Sequence, residues 1–158
     1  MKPASLKEIR TDLLHRSPQE LIDICIRLTK FKKENKELLT YLLFESENEE
    51  FYVSKIKTKM EEDFLGMNTS NFYFIRKSVR KILKEVKKFI RFSNKKETEV
   101  ELLLHFCFLL KDISPSYKKN KVLTNTFHRQ LQLIQKSLSA LHEDLQYDYQ
   151  VQIEKLID

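Results

Sequence analysis

The sequence predicts an all-α fold, a compact, irregular antiparallel bundle of six or seven helices in a single domain over residues 1–158. Three observations carry that expectation. No segment longer than a few residues alternates apolar and polar positions as a half-buried strand would. Glycine occurs once, whereas parallel α/β folds need it at tight turns and phosphate loops. The stretch from Thr98 to Ile113, TEVELLLHFCFLLKDI, is apolar almost all the way round when wound as a helix. A helix of that kind has to be surrounded by others, which makes it the expected centre of the fold.

The elements follow in order. Ser5 with Glu8 forms a capping box for a short first helix over about 5–15. Ser17-Pro18-Gln19-Glu20 starts the second more strongly, with Ser as cap, Pro at the first helical position and Glu closing the box. That helix is expected to bury Leu21, Ile24, Cys25, Leu28 and Phe31, widened by Ile22 and Ile26. A break is expected near Asn35, because the polar run Lys32–Lys36 separates two apolar faces and Asn tolerates the left-handed cap; one continuous helix over 18–45 is the alternative. Asn48, Asn68 or Asn71, Asn94 and Asn120 fall at the other joints.

A fourth helix is expected over about Glu49–Leu65, stopped by Gly66, and a fifth over about Ser70–Phe92. Thr98 and Glu101 are expected to cap the apolar helix, which Ser114-Pro115-Ser116 stops. The remainder, from about Lys121, reads as helix with a bend near Tyr147. Its apolar positions Phe127, Leu131, Ile134, Leu138, Leu141 and Leu145 are spaced by fours and threes, like a coiled-coil seam.

Net charge is +6, but it is not spread evenly. Residues 67–96 carry ten Lys or Arg and one Glu, while the rest of the chain is slightly acidic. On a wheel, Phe72, Ile75, Val79, Ile82, Leu83, Val86, Phe89 and Ile90 fall in an apolar arc of about 120°. Arg76, Lys77, Arg80, Lys81, Lys84, Lys87, Lys88 and Arg91 fill an adjoining arc of about 140°, with Tyr73 in its middle. Such a face can attract a polyanion, and Tyr73 is available to stack on a base. Alternatively, acids of helix four neutralise it across the short Gly66 turn. Glu61 and Glu62 would then approach Arg76 and Lys77, and Glu49 and Glu50 would approach Lys84, Lys87 and Lys88.

Other polar clusters point less clearly to chemistry. Glu101, His105 and Asp112 share one strip of the apolar helix, and Glu101 and His105 are one turn apart. The Glu-x-x-His motifs of helical di-metal sites are missing, so the strip reads as the polar edge of a buried helix. His142, Glu143, Asp144, Tyr147, Asp148 and Tyr149 form a dense mix of acid and tyrosine that suits a partner surface. Cys25 and Cys107 lie in apolar runs without metal or redox spacing, as expected of buried free thiols in a reducing compartment. The first residues, MKPASLKEIR, lack the apolar core of a signal peptide, and Leu102–Leu110 is too short to span a membrane. The expected location is cytoplasmic.

The segments ENKELLTYLLFE (34–45), NTSNFYFIRKSVRKIL (68–83), EVELLLHFC (99–107) and LHEDLQYDY (141–149) resemble a small, uncharacterised family of cytosolic bacterial helical proteins. That resemblance implies an all-helical fold and no known activity, and it carries no site residues. The leading expectation is a non-catalytic interaction module acting through protein contacts or self-association, on the 127–149 helix or the basic helix. Nucleic-acid or polyanion binding through 73–91 is the alternative, and a metal-dependent enzyme ranks behind both. No cofactor, metal site, catalytic residue, membrane contact or small-molecule substrate is indicated.

Overall fold

A computed structural model describes residues 1–158. It is all-helical, with eight α-helices where the periodicities suggest six or seven. The chain divides into two compact units, Met1–Phe44 and Glu45–Asp158, where the sequence suggests one domain.

The first unit contains α1 (Leu6–Leu13), α2 (Pro18–Phe31) and α3 (Lys33–Thr40), and a π-helical turn runs from Tyr41 to Glu45. Both capping boxes form: Glu8 N donates to Ser5 Oγ at 3.3 Å and Ser5 N to Glu8 Oε2 at 2.8 Å, and Ser17 and Glu20 repeat the exchange. The break between α2 and α3 comes at Lys32, whose backbone is extended, and not at a left-handed Asn35. Asn35 lies inside α3 and donates Nδ2 to Leu28 O at 2.9 Å, satisfying a carbonyl near the end of α2. The expected burial on α2 also fails. Ile24, Cys25, Leu28 and Phe31 are exposed and Leu21 is half-buried. Tyr41 is the one buried residue of this unit.

The second unit contains α4 (Glu49–Leu65), α5 (Phe72–Ser93), α6 (Lys96–Lys111), α7 (Lys121–Leu138) and α8 (Glu143–Ile157), with a 3-10 turn at Tyr117–Lys119. Helix α6 is the apolar segment singled out above, and it packs against α4, α5, α7 and α8. Val100, Leu102, Leu103, Leu104, Phe106, Cys107 and Leu110 on it are buried. The asparagines act mostly at helix starts: Asn48, Asn71 and Asn120 accept from backbone N–H groups at the beginnings of α4, α5 and α7. Only Asn94, with φ 55°, takes the left-handed cap. Gly66 ends α4 in a right-handed conformation with φ −80°, so the turn does not depend on glycine's access to positive φ.

Two boundaries differ from expectation for clear reasons. Thr98 is not a cap but is buried inside α6, donating Oγ1 to Glu49 Oε1 at 2.6 Å. The bend expected near Tyr147 comes earlier, between Leu138 and Glu143. There Gln146 Nε2 donates to Leu141 O at 2.7 Å, while His142 Nδ1 accepts from Asp144 N at 3.3 Å. Side chains of the new helix thus satisfy backbone groups left free at the break.

Polar bonds at the start of α6 reach three different neighbours. Glu97 accepts from Tyr149 of α8 at 3.3 Å, Thr98 donates to Glu49 of α4, and Glu99 accepts from Ser137 of α7 at 2.7 Å. Glu49 also accepts from Ser93 Oγ, and its Oε2 lies 3.1 Å from Lys95 Nζ. Because Ser93 and Thr98 are buried, removing that carboxylate strands two hydroxyl donors away from water. Glu49→Ala is expected to cost about 2–3 kcal/mol in urea unfolding, against less than about 0.5 kcal/mol for Glu62→Ala on the exposed side.

Candidate nucleic-acid interface

The 22 residues of α5 form a rod of about 33 Å. Ile75, Val79, Ile82, Val86 and Ile90 recur every three or four residues and are buried, which fixes the rotation of the helix about its axis. The opposite side is thereby turned outward. Lys77, Arg80, Lys81, Lys84 and Arg91 are exposed, while Arg76, Lys87 and Lys88 are half-buried. Tyr73 is 61% exposed at the N-terminal end, with its ring edge-on to Phe74. Lys88 Nζ sits over the Phe89 ring, 4.7 Å from its centroid.

The approach of Glu61 and Glu62 to Arg76 and Lys77, at one end of this stripe, does not form. Glu61 Oε1 lies 2.9 Å from His105 Nε2 on α6, and Asp63 pairs with Lys59 of its own helix at 3.0 Å. Glu49 is directed to Ser93, Lys95 and Thr98. The single acid of α5, Glu85, lies 3.8 Å from Lys59. Arg76, Lys77, Arg80, Lys81, Lys84, Lys87 and Arg91 make no ion pair with any carboxylate of the chain. Of these, Lys77, Arg80, Lys81, Lys84 and Arg91 project their charge into solvent.

Beside this face runs a cleft of about 460 Å³ between α5 and α7. Lys87, Arg129 and Lys136 line it together with Thr126, Gln130 and Gln132, over Leu83 and Leu133. No acid lines it, and α7 contains no Asp or Glu at all. Arg129 and Lys136 are absent from the stripe identified on α5 alone. Their signal was present as a missing residue type, since an 18-residue surface helix without an acid is itself uneven.

The other polar clusters come together in part. A second cleft, of about 270 Å³, brings Glu101, His105, Asp148 and Tyr149 to one place with Lys57 and Gln152. Lys57 Nζ pairs with Glu101 Oε1 at 2.5 Å. His105 Nε2, although 2.9 Å from Glu61, is out of line for a hydrogen bond. Burial lowers the His105 pKa; Glu61 opposes that shift and Lys57 reinforces it. Burial, then Glu101 and Glu97, hold the Tyr149 hydroxyl well above the usual tyrosine range.

His142, Glu143, Asp144, Tyr147 and Asp148 are exposed at the start of α8, with Tyr147 72% exposed, whereas Tyr149 is buried. Asp112 is not in the cleft, and no group of three or more His, Cys, Asp or Glu is placed to hold a metal ion. Cys107 is buried, which pushes its thiol up to about 12, whereas Cys25 is exposed, contrary to expectation. No helix is long and apolar enough to cross a membrane. No protein-family model, curated protein or solved structure matches the chain.

The lowered His105 pKa has a consequence for stability. Between its folded pKa and the ordinary value of 6.5 the unfolded chain binds the extra proton and the folded protein does not. This contribution is therefore full above that window and is lost as pH falls through it. Denaturation midpoints measured from pH 7.5 down to 5 should fall, and His105→Gln should flatten that part of the profile.

Proposed function

We propose that the protein binds a polyanion, a nucleic-acid phosphate backbone, through the outer face of α5 and the adjoining α5–α7 cleft. One observation carries the reading: seven α5 cations on a helix of fixed rotation have no acidic partner in the chain. A protein that merely tolerates surface charge intersperses the two signs. Here the field of α5 adds to that of Arg129 and Lys136 across a cleft without an acid.

The partner is a backbone and not a particular base sequence. Lys and Arg spread along a rod match repeated phosphates, and counterions released from the polymer drive association. Exposed Tyr73 adds one planar ring at the end of the stripe, suited to an unpaired base. The α7 seam is less suited to a partner protein, since Phe127, Leu131, Ile134 and Leu138 face the core of their own unit.

The test is fluorescence anisotropy of the full chain with a labelled single-stranded oligonucleotide and with a duplex, across a salt series. Log affinity should fall linearly with log salt. Replacing Arg80, Lys81 and Lys84 together with Gln should make the slope shallower by about 2–3, close to one per lost phosphate contact. Arg129→Gln with Lys136→Gln should weaken binding further. Tyr73→Ala should reduce single-strand affinity at least about fivefold and leave duplex affinity nearly unchanged. Salt-insensitive binding, or unchanged affinity in the triple variant, overturns the proposal.

A further inference from the structure

Two buried side-chain polar atoms lack a hydrogen-bond partner in the chain, His105 Nε2 and Gln130 Oε1. The first still has the Glu61 carboxylate 2.9 Å away. The second belongs to Gln130, the one buried residue among those lining the α5–α7 cleft, at 2% exposure. On a helical wheel Gln130 falls at the border of α7, with Leu123, Phe127 and Ile134 of the core within about 60° on one side. Thr126 and Leu133 of the cleft lie within about 60° on the other.

Chemistry fixes which end of the amide is left over. Gln130 Nε2 donates to Thr126 O at 3.1 Å, and a carbonyl only accepts, so the end without a partner is the oxygen. A buried acceptor without a donor is costly. The bond to Thr126 is expendable, because that carbonyl lies inside α7 and is also the acceptor of a helical N–H. The amide is therefore free to turn and offer both its oxygen and its nitrogen to a ligand in the cleft.

We infer that the α5–α7 cleft is a pocket for one unpaired nucleobase, held at its edge by the Gln130 amide; this rests on the nucleic-acid binding proposed above and narrows the partner to strands with free bases. Three features select a base. Its pairing edge sets an N–H donor beside an acceptor, and an amide presents the complement, as Gln does to adenine. Leu83 from α5 and Leu133 from α7 supply apolar surface for the ring. Lys87, Arg129 and Lys136 line the same cleft without an acid and suit the flanking phosphates. The volume of about 460 Å³ lies in the range of pockets that enclose small ligands.

In a duplex the same edge is taken by the opposite strand, so paired bases are excluded unless they are flipped out. All four bases carry such an edge, so the pocket selects free bases and not sequence. Tyr73 lies ten residues before Leu83, about 15 Å along α5, and serves a different base.

The test uses anisotropy of the full chain with a labelled single-stranded oligonucleotide and with a fully abasic strand of the same length. In the Tyr73→Ala chain, which lacks the exposed ring, the normal strand should still bind about fivefold more tightly than the abasic one. Adding Gln130→Met should remove most of that preference and leave the salt slope and duplex affinity unchanged, since no phosphate contact is touched. The urea midpoint should hold or rise, because an apolar chain of similar size replaces an unsatisfied acceptor. Photocrosslinking of an iodouracil strand to the unaltered chain gives a readout that needs no substitution, with label expected in α7.

Equal binding of normal and abasic strands by the Tyr73→Ala chain, with a steep salt slope, overturns the base pocket and leaves the backbone interaction standing. A chain that binds neither strand overturns both. A preference that survives Gln130→Met, or crosslinks confined to the Tyr73 end of α5, overturns the pocket by placing the base contact elsewhere.

Discussion

Covering α6 on every side is the constraint on which the second unit depends. Val100, Leu102, Leu103, Leu104, Phe106, Cys107 and Leu110 point in too many directions for one or two neighbours to hide them. Helices α4, α5, α7 and α8 are therefore all drawn to the same axis. The polar groups at its start obey the same geometry. Glu97, Thr98 and Glu99 are consecutive, so they lie about 100° apart around the helix, and each finds a different neighbouring helix. Hydrophobic burial brings the helices in, and these bonds favour one arrangement of them, since each buried hydroxyl left without its partner is costly.

The same centre explains why the α5 face stays open. Helix α4 carries the acids that could have neutralised it, but three of its polar residues are engaged with α6, the last residue of α5 or the turn between them. Glu49 holds Ser93, Lys95 and Thr98, Lys57 pairs with Glu101, and Glu61 approaches His105. Burial along Ile75, Val79, Ile82, Val86 and Ile90 meanwhile fixes the cations of α5 on the far side of that helix. Covering α6 and neutralising the N-terminal half of α5 make opposing demands on Glu61 of α4. For Glu49, buried hydroxyl donors on Ser93 and Thr98 are worth more than a solvent-exposed lysine.

Much of this was legible in the residues, and what was not has physical causes. The α5 periodicity is unambiguous because one face is apolar and the other, Tyr73 apart, is basic. The caps at Ser5 and Ser17 are local, and local signals survive tertiary context. Long-range choices are different. Thr98 matches a capping pattern, yet its hydroxyl is taken by Glu49, far away in sequence. The α7–α8 break has no Pro or Gly to announce it and depends on Gln146 reaching back to the Leu141 carbonyl. The α5–α7 cleft joins residues that no helical wheel of a single segment can place together.

Apolar periodicity reports which side of a helix avoids water, but not what shields it. The patterns of α2 and α5 look equivalent on a wheel, and their fates are opposite: Ile82 on α5 is buried and Leu28 on α2 is 54% exposed. The difference lies in what surrounds each helix. Helix α5 has both α4 and α6 within its unit, whereas the first unit has only short helices and a single buried residue. A segment of about 40 residues cannot bury enough surface to offset its own chain entropy. An apolar face kept in such a segment therefore calls for a second surface.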